Sequence, residues 1–182
     1  MAPGGVLVDL PDTLTIAADT DWEITVYDAR NVATWASPWG NTHTNPARSI
    51  FWHHTVSRYP SQATDPEAQL AWLIAHKDAG PYGLPYNFVV FPDATTFYLN
   101  DIDRNWPHTY GHNDCVAVCG VGNWDVDIPP TEVSERMWLL SHALMMMWET
   151  PIPVLGHRDC FATACPGRHL YDQLQSLKRG PS

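Results

Sequence analysis

The stretch CVAVCGVGNW, Cys115 to Trp124, is apolar or small as far as Val121 and then breaks at Gly122-Asn123. A short unbroken apolar run bounded by turn residues reads as a buried strand. Four strand residues would separate Cys115 from Cys119 by about 13 Å, too far for a mutual disulfide. Both thiols are expected to act as small buried hydrophobes.

The elements on either side decide the class. Downstream, Pro129 to Thr150 (PPTEVSERMWLLSHALMMMWET) places Val133, Met137, Leu140, Leu144 and Met147 at helical spacing, the apolar stripe of a long helix. The Met145-Met146-Met147 run is expected to fill core. A last helix, in GRHLYDQLQSLKRG, carries Leu170, Leu174 and Leu177 on one face and stops at Gly180. Upstream, YNFVVFPDATTFYLN (Tyr86–Asn100) reads as a hairpin turning at Pro92-Asp93-Ala94. Before it, TDPEAQLAWLIAHKDAG has Asp65 as N-cap, Pro66 at the first helical position, Lys77 in the last turn and Gly80 beyond. SIFWHH, from Ser49, is strand-like in its aromatic and β-favouring content. Strands interleaved with three helices predict a single α/β domain on a mixed sheet.

The first 48 residues read as an extension packed on a domain spanning 49–182. Short strands are expected at residues 5–10, 13–18 and 23–29, followed by a loop rich in Asn, Thr, Pro, Ser and Gly.

A chain of 182 residues, 45% hydrophobic and with nine Trp, can bury a core without staples. Its four Cys are too few for a disulfide scaffold. Ten basic against 20 acidic residues give a net charge of −10, which repels phosphate backbones and argues against nucleic acid as a partner. No apolar run approaches the roughly 20 residues that span a bilayer, so no membrane association is expected. The N-terminus MAPGGVLVDLPDTL lacks the basic leader and apolar core of a signal peptide. A product of the cytosol, retained or exported by other means, is the expectation.

The chemistry concentrates in LGHRDCFATACPG, Leu155 to Gly167, which holds His157, Cys160 and Cys165 between Gly156 and the Pro166-Gly167 pair. Imidazole and thiolate suit zinc, and three protein ligands leave a fourth position open, the mark of a catalytic site. His53 or His54 can supply the third donor; neighbouring strand residues point to opposite faces, so only one of them can. Cys160 or His169 could close the site as a structural one. The same residues also fit a Cys–His nucleophilic pair. A helix starting at Pro166 would lower the Cys165 pKa and serve either chemistry. Local chemistry leaves both open.

IFWHHT, GLPYNFVV, CVAVCGVGNW, LGHRD and ACPG, in that order from about Ile50 to Leu174, resemble the zinc N-acetylmuramoyl-L-alanine amidases. That group includes phage lysozyme-type amidases and peptidoglycan recognition proteins. The resemblance implies one zinc ion held by His53, His157 and Cys165, with His54 outside the site. It implies Tyr86 as a catalytic tyrosine, although Pro85 stands where the family has Gly, and Thr163 as a helper two residues before the Cys. The implied substrate is bacterial peptidoglycan, cut between N-acetylmuramic acid and L-alanine by a phage or prophage endolysin. A monomer that reaches the wall after release from the host cytoplasm is expected. A recognition module without activity, a zinc peptidase acting within the stem peptide and a Cys165 thiol hydrolase are the alternatives.

Other residues carry weaker expectations. His108 and His112 line a groove or sit in a polar loop. Trp52, Trp106 and Trp124 could stack on sugars, although most Trp are core. Arg158 and Asp159 are expected to form a surface ion pair rather than to support an imidazole.

Overall fold

The computed structural model describes residues 9–19, 22–40, 42, 45–57 and 65–180. The strand expected at 5–10 falls for the most part outside these. Among the described residues, seven strands form one sheet: β1 (Thr13–Asp19), β2 (Trp22–Asp28), β3 (Ile50–His54), β4 (Phe88–Val90), β5 (Thr96–Tyr98), β6 (Val116–Gly120) and β7 (Val154–Gly156). Their spatial order is β1-β2-β5-β4-β6-β3-β7. β4, β6, β3 and β7 run parallel, while the pairs β1–β2 and β4–β5 are antiparallel and β2–β5 is parallel. The mixed α/β sheet with three helices is as the sequence predicts.

The parallel strands read as unbroken apolar runs because both faces of the sheet are covered. Successive side chains alternate between the faces. Ile50, Trp52, Phe88, Val90, Val116 and Val118 pack with Val133, Met137, Leu140 and Leu144 of α2 (Thr131–Met147) and with Leu170 and Leu174 of α3 (Arg168–Arg179). Val89, Phe91, Phe97, Cys119 and Val121 pack with Leu70 and Leu73 of α1 (Pro66–His76) and with Trp35. β1 and β2, from the segment read as an extension, complete one edge of the sheet, and Ile24 and Val26 join the α2-side core.

Local signals behave as read. Asp65 caps α1 by accepting from Ala68 N–H at 2.8 Å. The hairpin turns where Ala94 takes φ 67°, with Ala94 N–H donating to Phe91 C=O. Two expectations fail at the end of α2. Met147 is 51% exposed and Met146 44%, because the end of the helix aims Met145 and Trp148 at the core instead; of the three methionines only Met145 packs there. Trp52, Trp106 and Trp124 are all buried and donate their indole N–H inward, to Ser141 Oγ, Asp101 C=O and Gly120 C=O. None of the three presents a face to a sugar.

Asn87 ties the hairpin to the central strand. Its amide nitrogen donates to the carbonyls of Asn100 and Asp101, and its Oδ1 accepts from Ala117 N–H at 2.8 Å. Asn87→Ala orphans these buried groups and should destabilise the domain by about 2–3 kcal/mol. Asp65→Ala, which removes a surface cap, should cost about 1 kcal/mol. Urea unfolding of the two variants checks the order.

Candidate metal centre

β3 is held on both sides, by β6 and by β7, over Ile50 to Trp52, and all five of its residues are buried. This rigid strand aims the side chains of His53 and His54 to opposite faces. His54 Nδ1 accepts from Trp124 N–H at 3.2 Å, and its Nε2 lies 4.0 Å from Asp125. His53 faces the α1 side. Its ring centroid lies 4.7 Å from that of His157, 5.3 Å from Tyr86 and 5.3 Å from His108.

His157 opens a single 3₁₀ turn, His157–Asp159, directly after β7. The chain then returns to place Cys165 beside it: Arg158 N–H donates to Cys165 C=O at 2.9 Å. Asp159 braces the turn. It accepts from Gly156 N–H at 2.8 Å and from the Tyr171 hydroxyl at 2.5 Å. Arg158 bonds the carbonyl of Ala164 and lies 3.9 Å from Asp125. The expected Arg158–Asp159 pair is therefore replaced by two separate anchors of the loop. Thr163 Oγ1 accepts from Cys165 N–H at 3.2 Å, a turn cap two residues before the thiol. Gly167, at φ 90°, passes so close to Trp124 that an added Cβ would lie 2.5 Å from its backbone carbon. Only glycine lets the chain approach there.

Among the described residues one cluster can hold a metal: His53, His157 and Cys165, with all donor atoms within 4.8 Å of one another. Cys160 is exposed and, like His169, stands outside it. Cys165 Sγ lies 3.5 Å from His53 Nδ1. Zinc bonds of about 2.3 Å to sulfur and 2.05 Å to nitrogen at a tetrahedral angle span about 3.6 Å. Two imidazoles and a thiolate with this spacing fit zinc.

Burial sets the protonation of the ligands. It holds the pKa of His53 well below the usual 6.5, with help from the neighbouring His108 and His157, and lowers that of His157. The imidazoles are therefore neutral at pH 7, as ligation requires. Burial also pushes the Cys165 thiol up to about 12. The helix N-terminus expected to lower it is displaced, since α3 begins at Arg168 beyond Gly167. A thiol held that high is a poor nucleophile at neutral pH. A divalent cation reverses the balance by neutralising the thiolate. Tyr86, half-buried and facing Cys119 and Cys165, has its pKa raised well above 10, chiefly by desolvation, and stays a hydrogen-bond donor. A cleft of about 300 Å³ lined by Thr55, Trp72, His76, Leu84 and Tyr86 opens beside it.

No model of a known protein family matches the chain. A peptidoglycan-recognition protein of Drosophila simulans is 26% identical over 138 residues, 74% of this chain and 76% of the relative. Among solved structures, the N-acetylmuramoyl-L-alanine amidase LysC of Clostridium intestinale superposes with a TM-score of 0.61 at 22% identity, over 80% of this chain and 93% of that one. The chain has the amidase and peptidoglycan-recognition fold. Peptidoglycan recognition proteins LCa and LCx, solved with tracheal cytotoxin bound to their ectodomain complex, superpose at 0.65 with 20% identity, over 80% and 89% of the chains.

His108 and Thr109 are residues of this site whose part the sequence did not disclose. His108 is buried and does not line an open groove; His112 packs half-buried against Phe51, ring centroids 5.4 Å apart. Thr109, 2% exposed, lies 3.4 Å from His53 Nε2. The His-Thr pair in the loop before β6 was the available signal.

The buried imidazoles also fix a pH dependence. Burial lowers the pKa of His108 to about 4, against 6.5 unfolded. Below pH 6.5 the unfolded chain takes up protons that the folded one refuses, so stability falls as pH drops towards 4. His108 alone should account for on the order of 3 kcal/mol across that window. Urea melts of chelator-treated protein at pH 7 and pH 4.5 should show the loss, and His108→Gln should make it smaller, leaving the part that His53 and His157 contribute.

Proposed function

We propose that the protein is a zinc-dependent N-acetylmuramoyl-L-alanine amidase that cuts the amide between N-acetylmuramic acid and the L-alanine of the stem peptide. The observation that carries this reading is the convergence of His53, His157 and Cys165 beside Tyr86 on the amidase fold. Relatives named for peptidoglycan recognition support peptidoglycan as the polymer engaged. We further read the chain as a phage or prophage endolysin, a monomer made in the host cytoplasm that meets the wall after release. No described helix is long and apolar enough to cross a membrane.

His53, His157 and Cys165 would hold one zinc ion. Bound there, zinc supplies a Lewis acid for the amide carbonyl and acidifies water enough to attack near neutral pH. The protein's own groups do the rest. The neutral imidazoles offer lone pairs without first losing protons. Tyr86, kept protonated by burial, donates to the oxyanion as the carbonyl becomes tetrahedral. Thr163 holds the Cys165 backbone through its oxygen and keeps a hydroxyl hydrogen for the substrate. The cleft beside Tyr86 takes the stem peptide and excludes water from one side of the bond.

Purified peptidoglycan digested with the protein should yield new L-alanine amines and muramic acid carboxyl ends by mass spectrometry, and a zinc chelator should stop the reaction. Binding without cleavage would make the chain a recognition module, and new ends within the stem peptide would make it a peptidase. Cleavage that survives complete zinc removal would falsify the metal mechanism. Cys165→Ser should lose both zinc and activity, whereas Cys160→Ser keeps both. Tyr86→Phe should retain zinc and slow hydrolysis by about 10²–10³-fold. Zinc uptake at pH 7 should release about one proton, from Cys165, because both imidazoles are already neutral; titration in weak buffer reads it.

A further inference from the structure

A chain of buried polar contacts runs away from the metal cluster through residues that bear no donor for it. His53 Nε2 lies 3.4 Å from Thr109 Oγ1, Thr109 Oγ1 lies 2.9 Å from His108 Nδ1, and His108 Nε2 lies 2.9 Å from the backbone carbonyl of Cys115. His53, His108 and Thr109 are each less than 8% exposed, so water has little access to the links. The far end is anchored in the fold, because Cys115 immediately precedes β6, the strand paired with β3.

The contacts have one consistent direction. A carbonyl only accepts, so His108 Nε2 carries a hydrogen and donates to Cys115. In a neutral ring Nδ1 is then the acceptor and takes the hydroxyl hydrogen of Thr109. Thr109 Oγ1, having given its hydrogen, accepts from His53 Nε2. His53 therefore bears its hydrogen on Nε2 and presents a lone pair at Nδ1, the nitrogen 3.5 Å from Cys165 Sγ. Turning Thr109 round would put hydrogen on His53 Nδ1 and remove the donor.

We propose that Thr109 and His108 are positioning residues that lock His53 in the tautomer and orientation needed to bind the metal. The arrangement uses a hydroxyl and a second imidazole where metal-bound histidines commonly use a carboxylate or a carbonyl directly. It leaves no fixed negative charge behind His53, so the centre with two neutral imidazoles and one thiolate keeps a single positive charge with zinc. This inference rests on the metal-centre reading but not on the identity of the bond that is cut.

Thr109→Val keeps the shape and removes the hydroxyl; Thr109→Ser restores it. Zinc affinity should be measured by competition with a chromogenic chelator, without substrate, and the cobalt(II)-substituted proteins compared by their thiolate-to-metal and d–d absorption bands. Thr109→Val should weaken zinc binding roughly 10–100-fold and shift the cobalt bands, while Thr109→Ser returns both towards wild type. His108→Gln, which can still donate to Cys115, should give an intermediate loss. The thermal midpoint of each chelator-treated variant shows that it is folded. Wild-type zinc affinity and cobalt spectra in folded Thr109→Val overturn the relay alone. Failure of the parent protein to bind zinc overturns the relay and the metal centre together, whereas zinc binding without peptidoglycan cleavage leaves the relay standing and removes only the amidase.

Discussion

The pleat of β3 is the constraint on which the centre depends. Its five residues are buried between two parallel neighbours, and an alternation of faces leaves no freedom in where a given side chain points. A one-residue slip would turn His53 to the face of Trp124 and Asp125 and take its donor away from the thiol. The remaining parts are arranged around that fixed ring: the turn after β7 brings His157 to it, and the loop closed by Arg158 and Cys165 brings the sulfur.

The price of such a site is polar groups in a dry interior, and the structure meets it in two ways. Desolvation, aided for His53 by its His108 and His157 neighbours, keeps the imidazoles neutral. The thiol is handled differently, because burial by itself disfavours the thiolate. The backbone N–H of His54 and the Arg158 guanidinium pull its pKa the other way without overcoming burial. The same strand residue whose side chain leaves the site thus serves it through its main chain.

Local punctuation made most of the architecture legible. Asp65-Pro66 and the Pro92-Asp93-Ala94 turn act within a few residues, so their readings survive folding unchanged. The α2 stripe held as far as Leu144 and failed at Met147, since in a run of apolar residues periodicity does not say which of them continue the buried face, here Met145 and Trp148. The three tryptophans stayed open in the sequence for a related reason: an indole looks alike there whether its N–H meets sugar or a buried acceptor. His53, His157 and Cys165 could be named because strand alternation and family motifs marked them. Thr109 could not, because its contact with His53 joins positions 56 residues apart and threonine in a polar loop carries no mark of its partner.

The separation of the donors along the chain has a thermodynamic consequence. His53 and Cys165 stand 112 residues apart, whereas His157 and Cys165 share one short loop. An ion engaging all three behaves as a cross-link closing most of the chain into a ring, and the unfolded state would give up loop entropy to form it. The ends of the ring meet where β3 and β7 lie side by side in the sheet. An ion bound there would act as a clasp on the assembled sheet and resist its opening.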